Sequence, residues 1–574
     1  MEKRILPVNR QEVAGLQSLK EERTLASGLA ALGGQFPANL GRPSLEPVYH
    51  GHVFLQRWHS AYYDPSLTVY DKSRNPRDSH MSLIFFVALL LSADKPFEIQ
   101  ILDDQSGRGG PLVELTTTAG VTFVTDSAGR IAFDEPGMTD QRVWFAVKSH
   151  GYEAPKDGFG IAGAAFEVKP GGKGTLKIKR LNIAERLYRI TGSGIYRDSV
   201  LLGREVPIKE PLLNAKVTGS DSVQLAIYRG QLHWFWGDTN RPAYILGLFH
   251  VPGATSKLPT SGGLDIERGI DLAYFIGPDG FAKATCKMAG DGPTWMDGVV
   301  TLKDVAGKER LCGAYVKVKP PLSIYRRGTC VWNDDKNEFE YAGDIPLDAP
   351  IFPFGHPLLL EVAGQSYLGF GDPFPIARVL AHVENYTDLA KYEAFTCLIP
   401  GSRLDKPDVE RSTDGKVIWG WKKNTSPVDS AAEAKLVAAG LLKPEEARFQ
   451  IQDAATGQKV AVHRGSVNWN DYRKKWICLF CQFGGRSMVG EIWVAEADAP
   501  TGPWKDAVKV VTHDKYSFYN PVHHRDFDKD GGRFIFFEGT YTTTFSGNDH
   551  KTPRYDYNQV LYKLDLADER LWGK

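Results

Sequence analysis

Excess charge of either sign is missing from this chain: 69 Lys and Arg stand against 69 Asp and Glu, for a formal net charge of zero. Proteins that grip phosphate backbones need a broad basic surface, so this balance argues against a nucleic-acid partner. Cysteine is scarce, with six in 574 residues, and only Cys478 and Cys481 stand close together. Their spacing falls in the apolar stretch Trp476–Gln482, which reads as a strand, where positions three apart face opposite sides. Buried thiols rather than a zinc site are expected, and no cofactor is assigned. A dedicated calcium loop is absent as well, which leaves a divalent ion on any central axis unsupported.

Long apolar runs are also lacking. The run from Met81 to Ala93 is too short to span a bilayer comfortably, so no membrane span is expected. Its length suits the apolar core of a signal peptide with Ser92-Ala93 at the cleavage point, or a buried strand. On the signal-peptide reading Met81 is the biological start and residues 1–80 are a poorly structured upstream extension. The mature chain then begins near Asp94 and is secreted or periplasmic. No Lys or Arg follows Met81 directly, which such a signal would ordinarily have, and with another start the location stays open.

What the chain has in abundance is aromatics and glycine: 13 Trp, 23 Tyr, 29 Phe and 58 Gly. Many short strands cut by turns, an all-β architecture, follow from that profile. Between residues 94 and 180, strand candidates fall at Phe97–Leu102, Leu112–Thr117, Val121–Val124, Ile131–Phe133, Val143–Val147, Ala164–Val168 and Gly174–Ile178. Clusters such as Asp126-Ser-Ala-Gly129 and Pro170-Gly-Gly172 punctuate them. Short strands at this density predict a β-sandwich. Residues 181–215 read as a linker with strand candidates at Leu187–Ile190 and Ile195–Leu202, one of which could complete a later sheet.

From residue 216 to the end the dominant signal is repetition. The stretch Gly219–Asp238 reads as a hairpin turning at Arg229-Gly230, with an acidic residue near each end. Similar units open at Asp297-Gly-Val-Val-Thr-Leu, His356-Pro-Leu-Leu-Leu-Glu-Val, Arg464-Gly-Ser-Val-Asn-Trp and Tyr519-Asn-Pro-Val-His-His. Each holds about four strand candidates, the content of one propeller blade, so a five-bladed β-propeller preceded by a β-sandwich is predicted. Between the third and fourth units, residues 429–448 are rich in Ala, Leu and Glu and predict a helical insertion on the rim.

In a propeller the first strand of each blade lines the central channel, so residues at matching ends converge. The five starts offer Asp221, Asp297, His356, Arg464 with Ser466, and Asn520 with His523. Carboxylates, a histidine and an arginine around one pocket suit acid–base chemistry with shifted pKa values. Turn capping by Asp221 and Asp297, and a hydrogen-bonded core role for His356, are the competing structural readings. Asp238, in Gly-Asp-Thr-Asn-Arg-Pro, reads first as a turn residue. Trp236 and Trp295 are either core residues or stacking faces for a sugar.

The blade count, the Asp at the first two blade starts, Trp234-Phe-Trp-Gly-Asp238 and Gly490-Glu-Ile-Trp-Val-Ala-Glu-Ala together resemble five-bladed glycoside hydrolases of the arabinanase and xylosidase-like group, over about residues 216–574. Residues 94–180, at Gly110-Pro-Leu-Val-Glu-Leu, Thr125-Asp-Ser-Ala-Gly-Arg and Ser149-His-Gly-Tyr, resemble the regulatory-like, transthyretin-like sandwiches of carboxypeptidases and secreted bacterial enzymes. The hydrolase resemblance implies water activated by Asp221, a pKa-tuning and substrate-orienting Asp297, and a third-blade Glu as proton donor, acting on a poly- or oligosaccharide; inversion follows if the groups stand about 6.5–9.5 Å apart with room for water. His356 stands where that Glu is expected. A related family acting on red-algal oligosaccharides uses His as its acid, so His356 is one candidate donor, with Glu538 and Asp238 as the others. Arg464, His523 and Arg525 are expected to recognise hydroxyls, a carboxylate or a sulfate. A carbohydrate-binding propeller without catalysis is the alternative.

Overall fold

Alternating apolar positions cut by Gly, Asn and Asp turns give an almost purely β molecule. In the computed structural model, which describes residues 95–547, 552 and 554–572, helix is confined to short segments such as Arg197–Leu201, Val383–Tyr386 and Ser430–Ala438. The extension at 1–80 and the apolar segment at 81–93 lie outside the described residues.

From Phe97 to Arg180 the chain forms two four-stranded sheets. One is ordered Arg130–Phe133, Phe97–Asp103, Lys173–Arg180, Tyr152–Glu153; the other Thr122–Val124, Glu114–Thr117, Arg142–Lys148, Gly163–Glu167. Period-two alternation in Arg142–Lys148 turns Val143, Phe145 and Val147 inward. There they join Ile99, Ile101, Ile131 and Phe133 in one core. Tyr152–Glu153 escapes a sequence reading because two residues are too short to show alternation.

The linker contains one strand and one helix. Glu185–Arg189 pairs antiparallel with Asn558–Asp565 near the far end of the chain. Ile195–Leu202, expected as a strand from its β-branched and aromatic content, instead supplies the helix Arg197–Leu201. Tertiary hydrogen bonds override the local preference: Ser199 N donates to Asp126 Oδ2 at 2.7 Å, and Ala132 N donates to Asp198 Oδ1 at 3.0 Å.

A small three-stranded sheet of Gly219–Ser220, Thr239–Arg241 and Tyr244–Leu248, and five larger sheets, here I to V in chain order, then follow. Sheet I holds Val223–Tyr228, Gln231–Trp236, Gly253–Lys257 and Ala273–Tyr274; sheet II holds Thr294–Lys303, Glu309–Lys319, Ser323–Asn333 and Glu338–Ile345. Sheet III runs His356–Val362, Gln365–Gly371, Pro375–Leu380, Glu393–Thr396 and Gly420–Lys423. Sheet IV runs Val462–Asn470, Lys475–Gln482, Ile492–Ala497 and Asp506–Val511, with Gln452–Asp453 added parallel at its edge. Sheet V is Ser517–His523, Phe534–Thr542, Asn558–Asp565 and the linker strand Glu185–Arg189.

The first strands of successive sheets lie side by side from I to V. Sheet V also meets sheet I. Asn520 Nδ2 donates to Ser222 Oγ, and Lys529 and Lys563 pair with Asp265 and Glu267. Between these two sheets Trp234 and Trp236 stack at 6.2 Å and pack with Tyr274, Phe527 and Phe536. Between sheets III and IV sits the expected helix, Ser430–Ala438. Asp429 caps it by accepting from Ala432 N at 2.7 Å.

Candidate active site

The site is assembled where the first strands of sheets I to IV begin. Asp221 immediately precedes Val223–Tyr228, and its backbone N donates to Asp238 O at 2.9 Å, so the two acidic ends of the first hairpin face each other. Position 237 must be small: a Cβ there would lie 3.1 Å from the Cβ of Asp221. The Asp221 carboxylate accepts from Ser222 N and Ser222 Oγ at 2.5 and 2.7 Å through Oδ1, and from the Tyr557 hydroxyl at 3.1 Å through Oδ2. Thr540 Oγ1 adds a longer contact at 3.4 Å. Burial, and then the Asp221 charge, push the phenols of Tyr519 and Tyr557 well above their ordinary range. Both therefore stay protonated beside the carboxylate.

Asp297 is presented by a bulge. It pairs with Ala314, after which the register slips until Val300 meets Cys312. The next residue, Gly298, takes φ of 62°, a left-handed conformation that favours glycine. Gly298 N donates to Gly355 O at 2.9 Å, and the Tyr386 hydroxyl donates to Gly298 O at 3.1 Å. The bulge is thereby fixed to the residue that leads into His356, at the head of sheet III.

A third carboxylate joins them. Asp372 follows the second strand of sheet III and reaches the first strand of sheet IV. Its Oδ2 lies 3.3 Å from Arg464 Nη1, and its Oδ1 accepts from Gly465 N at 3.0 Å. Gly465 is required by its own sheet, since a Cβ there would sit 2.1 Å from Leu479 O on the adjacent strand. The guanidinium of Arg464 lies in the field of Asp372 first, then of Asp297 and Asp221, and its pKa is raised accordingly. Nearly half of its side-chain surface, 47%, remains accessible to solvent.

Electrostatics separates the groups. Burial pushes the Asp297 carboxyl up to about 6; Arg464 and the Gly355 N–H oppose the rise while Asp372 adds to it. Burial holds the His356 imidazole down at about 4, with His524 and Arg464 acting in the same direction and Asp372 against them. The expectation that neighbouring carboxylates keep His356 as an imidazolium near neutral pH is therefore corrected, because desolvation outweighs the attraction of Asp372.

Of the other expected residues, Trp295 and Asp238 are brought to the site. Trp295 Nε1 donates to Asp238 Oδ1 at 3.0 Å, and both are half-buried. Asp238 thus does more than shape a turn. Asn520 sits at a bulge of sheet V with φ of 50° and is tied to Ser222 beside Asp221.

Five expectations are corrected by burial or position. Glu538 is fully buried and accepts from or shares a proton with His524 Nε2 at 2.6 Å, beneath the Trp234 ring, so it has no face for a sugar. Trp236 is 1% exposed and is a core residue. Ser466 is buried and its Oγ accepts from His523 N at 2.9 Å. His523 is buried and bound to Asp528 at 2.8 Å and to Asn468. Arg525 follows the far end of its strand, where it lies 3.7 Å from Asp471, and does not reach the carboxylates gathered at the strand starts.

Sequence reasoning missed Asp372, Tyr519 and Tyr557. A signal for Asp372 existed: the second strands of sheets I and III both end in Gly-Asp, at Gly237-Asp238 and Gly371-Asp372. Tyr557 carried none, since it lies in a loop remote from any repeat start, whereas Tyr519 opens the fifth unit beside Asn520. Among the described residues no group of three or more His, Cys, Asp or Glu is gathered as metal ligands, and no helix is long and apolar enough to cross a membrane. All six cysteines are buried and free.

No family model matches the chain, and no curated protein sequence does. Among solved structures it is similar to the exo-β-1,3-galactanase of Phanerochaete chrysosporium with galactose, at 7% identity over 67% of this chain and 66% of that one, with a TM-score of 0.34. A putative exo-β-1,3-galactanase from Bifidobacterium bifidum is 10% identical over 68% and 97% of the two chains, with a TM-score of 0.32. An endo-1,5-α-L-arabinanase from Thermotoga petrophila is 11% identical over 61% and 73%, with a TM-score of 0.29. The functional reading below rests on the chain's own residues.

Proposed function

We propose that sheets I to V are the blades of a five-bladed β-propeller, that the two N-terminal sheets form a β-sandwich, and that the protein is a glycoside hydrolase. The observation that carries the reading is the convergence of Asp221, Asp297 and Asp372 with a solvent-accessible Arg464 at one end of the first strands. Carboxyl groups in unlike environments are what hydrolysis of a glycosidic bond requires, one to activate water and one to donate a proton.

The two roles divide by environment. Asp221 receives hydrogen bonds from Ser222 and Tyr557, which orient its carboxylate, and fits the base that draws a proton from water. Asp297, with its pKa pushed up to about 6, keeps a proton to higher pH than an ordinary carboxyl and fits the acid that protonates the leaving oxygen. This assigns to Asp297 the donor role first considered for His356 and Glu538. Attack by water on the face opposite the leaving group gives inversion. Trp295, steered by Asp238, offers the aromatic face at the site.

The test is a panel of neutral and acidic poly- and oligosaccharides incubated with the wild type and with Asp221→Asn. Reducing-sugar release is expected from the wild type and is expected to fall by about 10²–10⁴-fold in the variant. Equal release from both proteins overturns the assignment. Sugar binding by the wild type with no release from any glycan favours a binding propeller instead.

A further inference from the structure

The loop between the second and third strands of sheet V concentrates backbone strain. Phe545, Tyr555 and Tyr557 take left-handed conformations there, with φ of 68°, 69° and 62°, as does Asn520 in the first strand, with φ of 50°. Bulky side chains avoid this region, and a residue held in it marks a place where something other than chain propensity sets the backbone. Two of these aromatics have a structural role in view. The Arg189 guanidinium lies 3.5 Å over the Tyr555 ring, and the Tyr557 hydroxyl donates to Asp221 Oδ2 at 3.1 Å. Phe545 differs: its ring meets Tyr519 edge-on at 5.6 Å and stays 40% exposed.

Two chains of contacts join Phe545 to Asp221. Tyr519 adjoins Asn520, whose Nδ2 donates to Ser222 Oγ, and Ser222 Oγ in turn donates to Asp221 Oδ1 at 2.7 Å. The turn that carries Phe545 is tied down as well. Ser546 N and Oγ donate to Thr543 O at 3.1 and 2.7 Å, and Thr543 N donates at 2.9 Å to Oδ1 of Asp556, the neighbour of Tyr557. The backbone beneath an exposed apolar ring is thus fixed beside the acid-lined site. Ordering a contact surface before binding lowers the cost of binding, and an aromatic face suits the C–H face of a sugar ring. We propose that Phe545 is a substrate-contacting residue that stacks on a sugar unit of a glycan held at Asp221 and sets the affinity for it. The inference rests on the reading of these acids as a glycan site and does not require cleavage.

The strain supplies one readout that needs no ligand. Glycine enters the left-handed region freely, so Phe545→Gly is expected to hold the thermal midpoint within about 3 °C of the wild type or to raise it. A ring that served packing would lower it further than that. Binding supplies the second readout. The Asp221→Asn chain, which keeps a substrate uncut, is titrated calorimetrically with hexasaccharides of glucose, xylose, arabinose, galactose and galacturonic acid. At least one is expected to bind. Adding Phe545→Gly should weaken that binding by about fivefold or more, whereas Phe545→Tyr, which keeps the aromatic face, should hold it within about threefold.

A smaller loss of affinity in Phe545→Gly overturns the proposal. So does an equal loss in Phe545→Tyr, a midpoint lowered beyond that margin, or the failure of all five hexasaccharides to bind. The two readings fail separately. A glycan that binds through Phe545 and is left uncut by the wild type sinks hydrolysis alone. One that is cut with the same KM by the wild type and by Phe545→Gly sinks this inference and leaves the hydrolase standing.

Discussion

Replacing Asp297 by Asn tests the electrostatics of the site without any assumption about substrate. In an unfolded chain this carboxyl loses its proton near 3.8, and in the folded protein only near 6. Between those values the native state holds a proton that the unfolded state has released. Stability therefore falls as pH rises through that window, and the full cost of the buried charge is present above it. A displacement of about two pH units corresponds to about 3 kcal/mol. Solvent reaching this half-buried side chain lowers the expected value to about 1–2 kcal/mol.

Asn cannot ionise and carries no such cost. Urea unfolding followed by tryptophan fluorescence, with both proteins at pH 4 and pH 7.5, should show Asp297→Asn gaining about 1–2 kcal/mol on the wild type between the two conditions. Every other titrating group is common to both chains and cancels in the difference. A flat difference would refute the reasoning. So would the opposite sign, with Asp297 favoured at high pH, because attraction to Arg464 would then outweigh burial.

Two further predictions concern residues outside the site. Trp236→Ala should lower unfolding stability by about 3–5 kcal/mol by opening a cavity against Trp234 and Tyr274, whereas Trp236→Phe should leave sugar affinity unchanged in a titration, as a core residue requires. Glu433 accepts from Arg448 N, Phe449 N and Gln450 Nε2, so Glu433→Ala should cost about 1–3 kcal/mol and make residues 429–450 the first site of limited proteolysis.

Much of the architecture could be read from alternation and punctuation, because each sheet buries its own apolar face and turns where glycine or Asn allows it. Seven of the eight N-terminal strands, the hairpin ending in Asp238 and the helix after Asp429 were legible for that reason. The first linker helix was not. Ile195–Leu202 has a strand's composition, but its Ser199 N–H donates to the Asp126 side chain and its Asp198 side chain accepts from Ala132 N, contacts that no local pattern reveals.

The site divides along the same line. Asp221 and Asp297 were legible because they sit at repeat starts, one before a strand and one on an Asp-Gly bulge. The roles were not, because they depend on depth and on neighbours brought from other sheets. Glu538, Ser466 and His523 have the right chemistry, and the last two the right repeat positions, but their strands turn those side chains into the protein, where Glu538 meets His524 and Ser466 meets His523 N. Asp372 shows the converse. It lies at the end of a second strand, away from any start, and enters the site because one carboxylate crosses between sheets to bind two successive residues of sheet IV. A first-strand alignment therefore finds candidates for proton transfer, while a residue such as Asp372 has to be sought where neighbouring sheets touch.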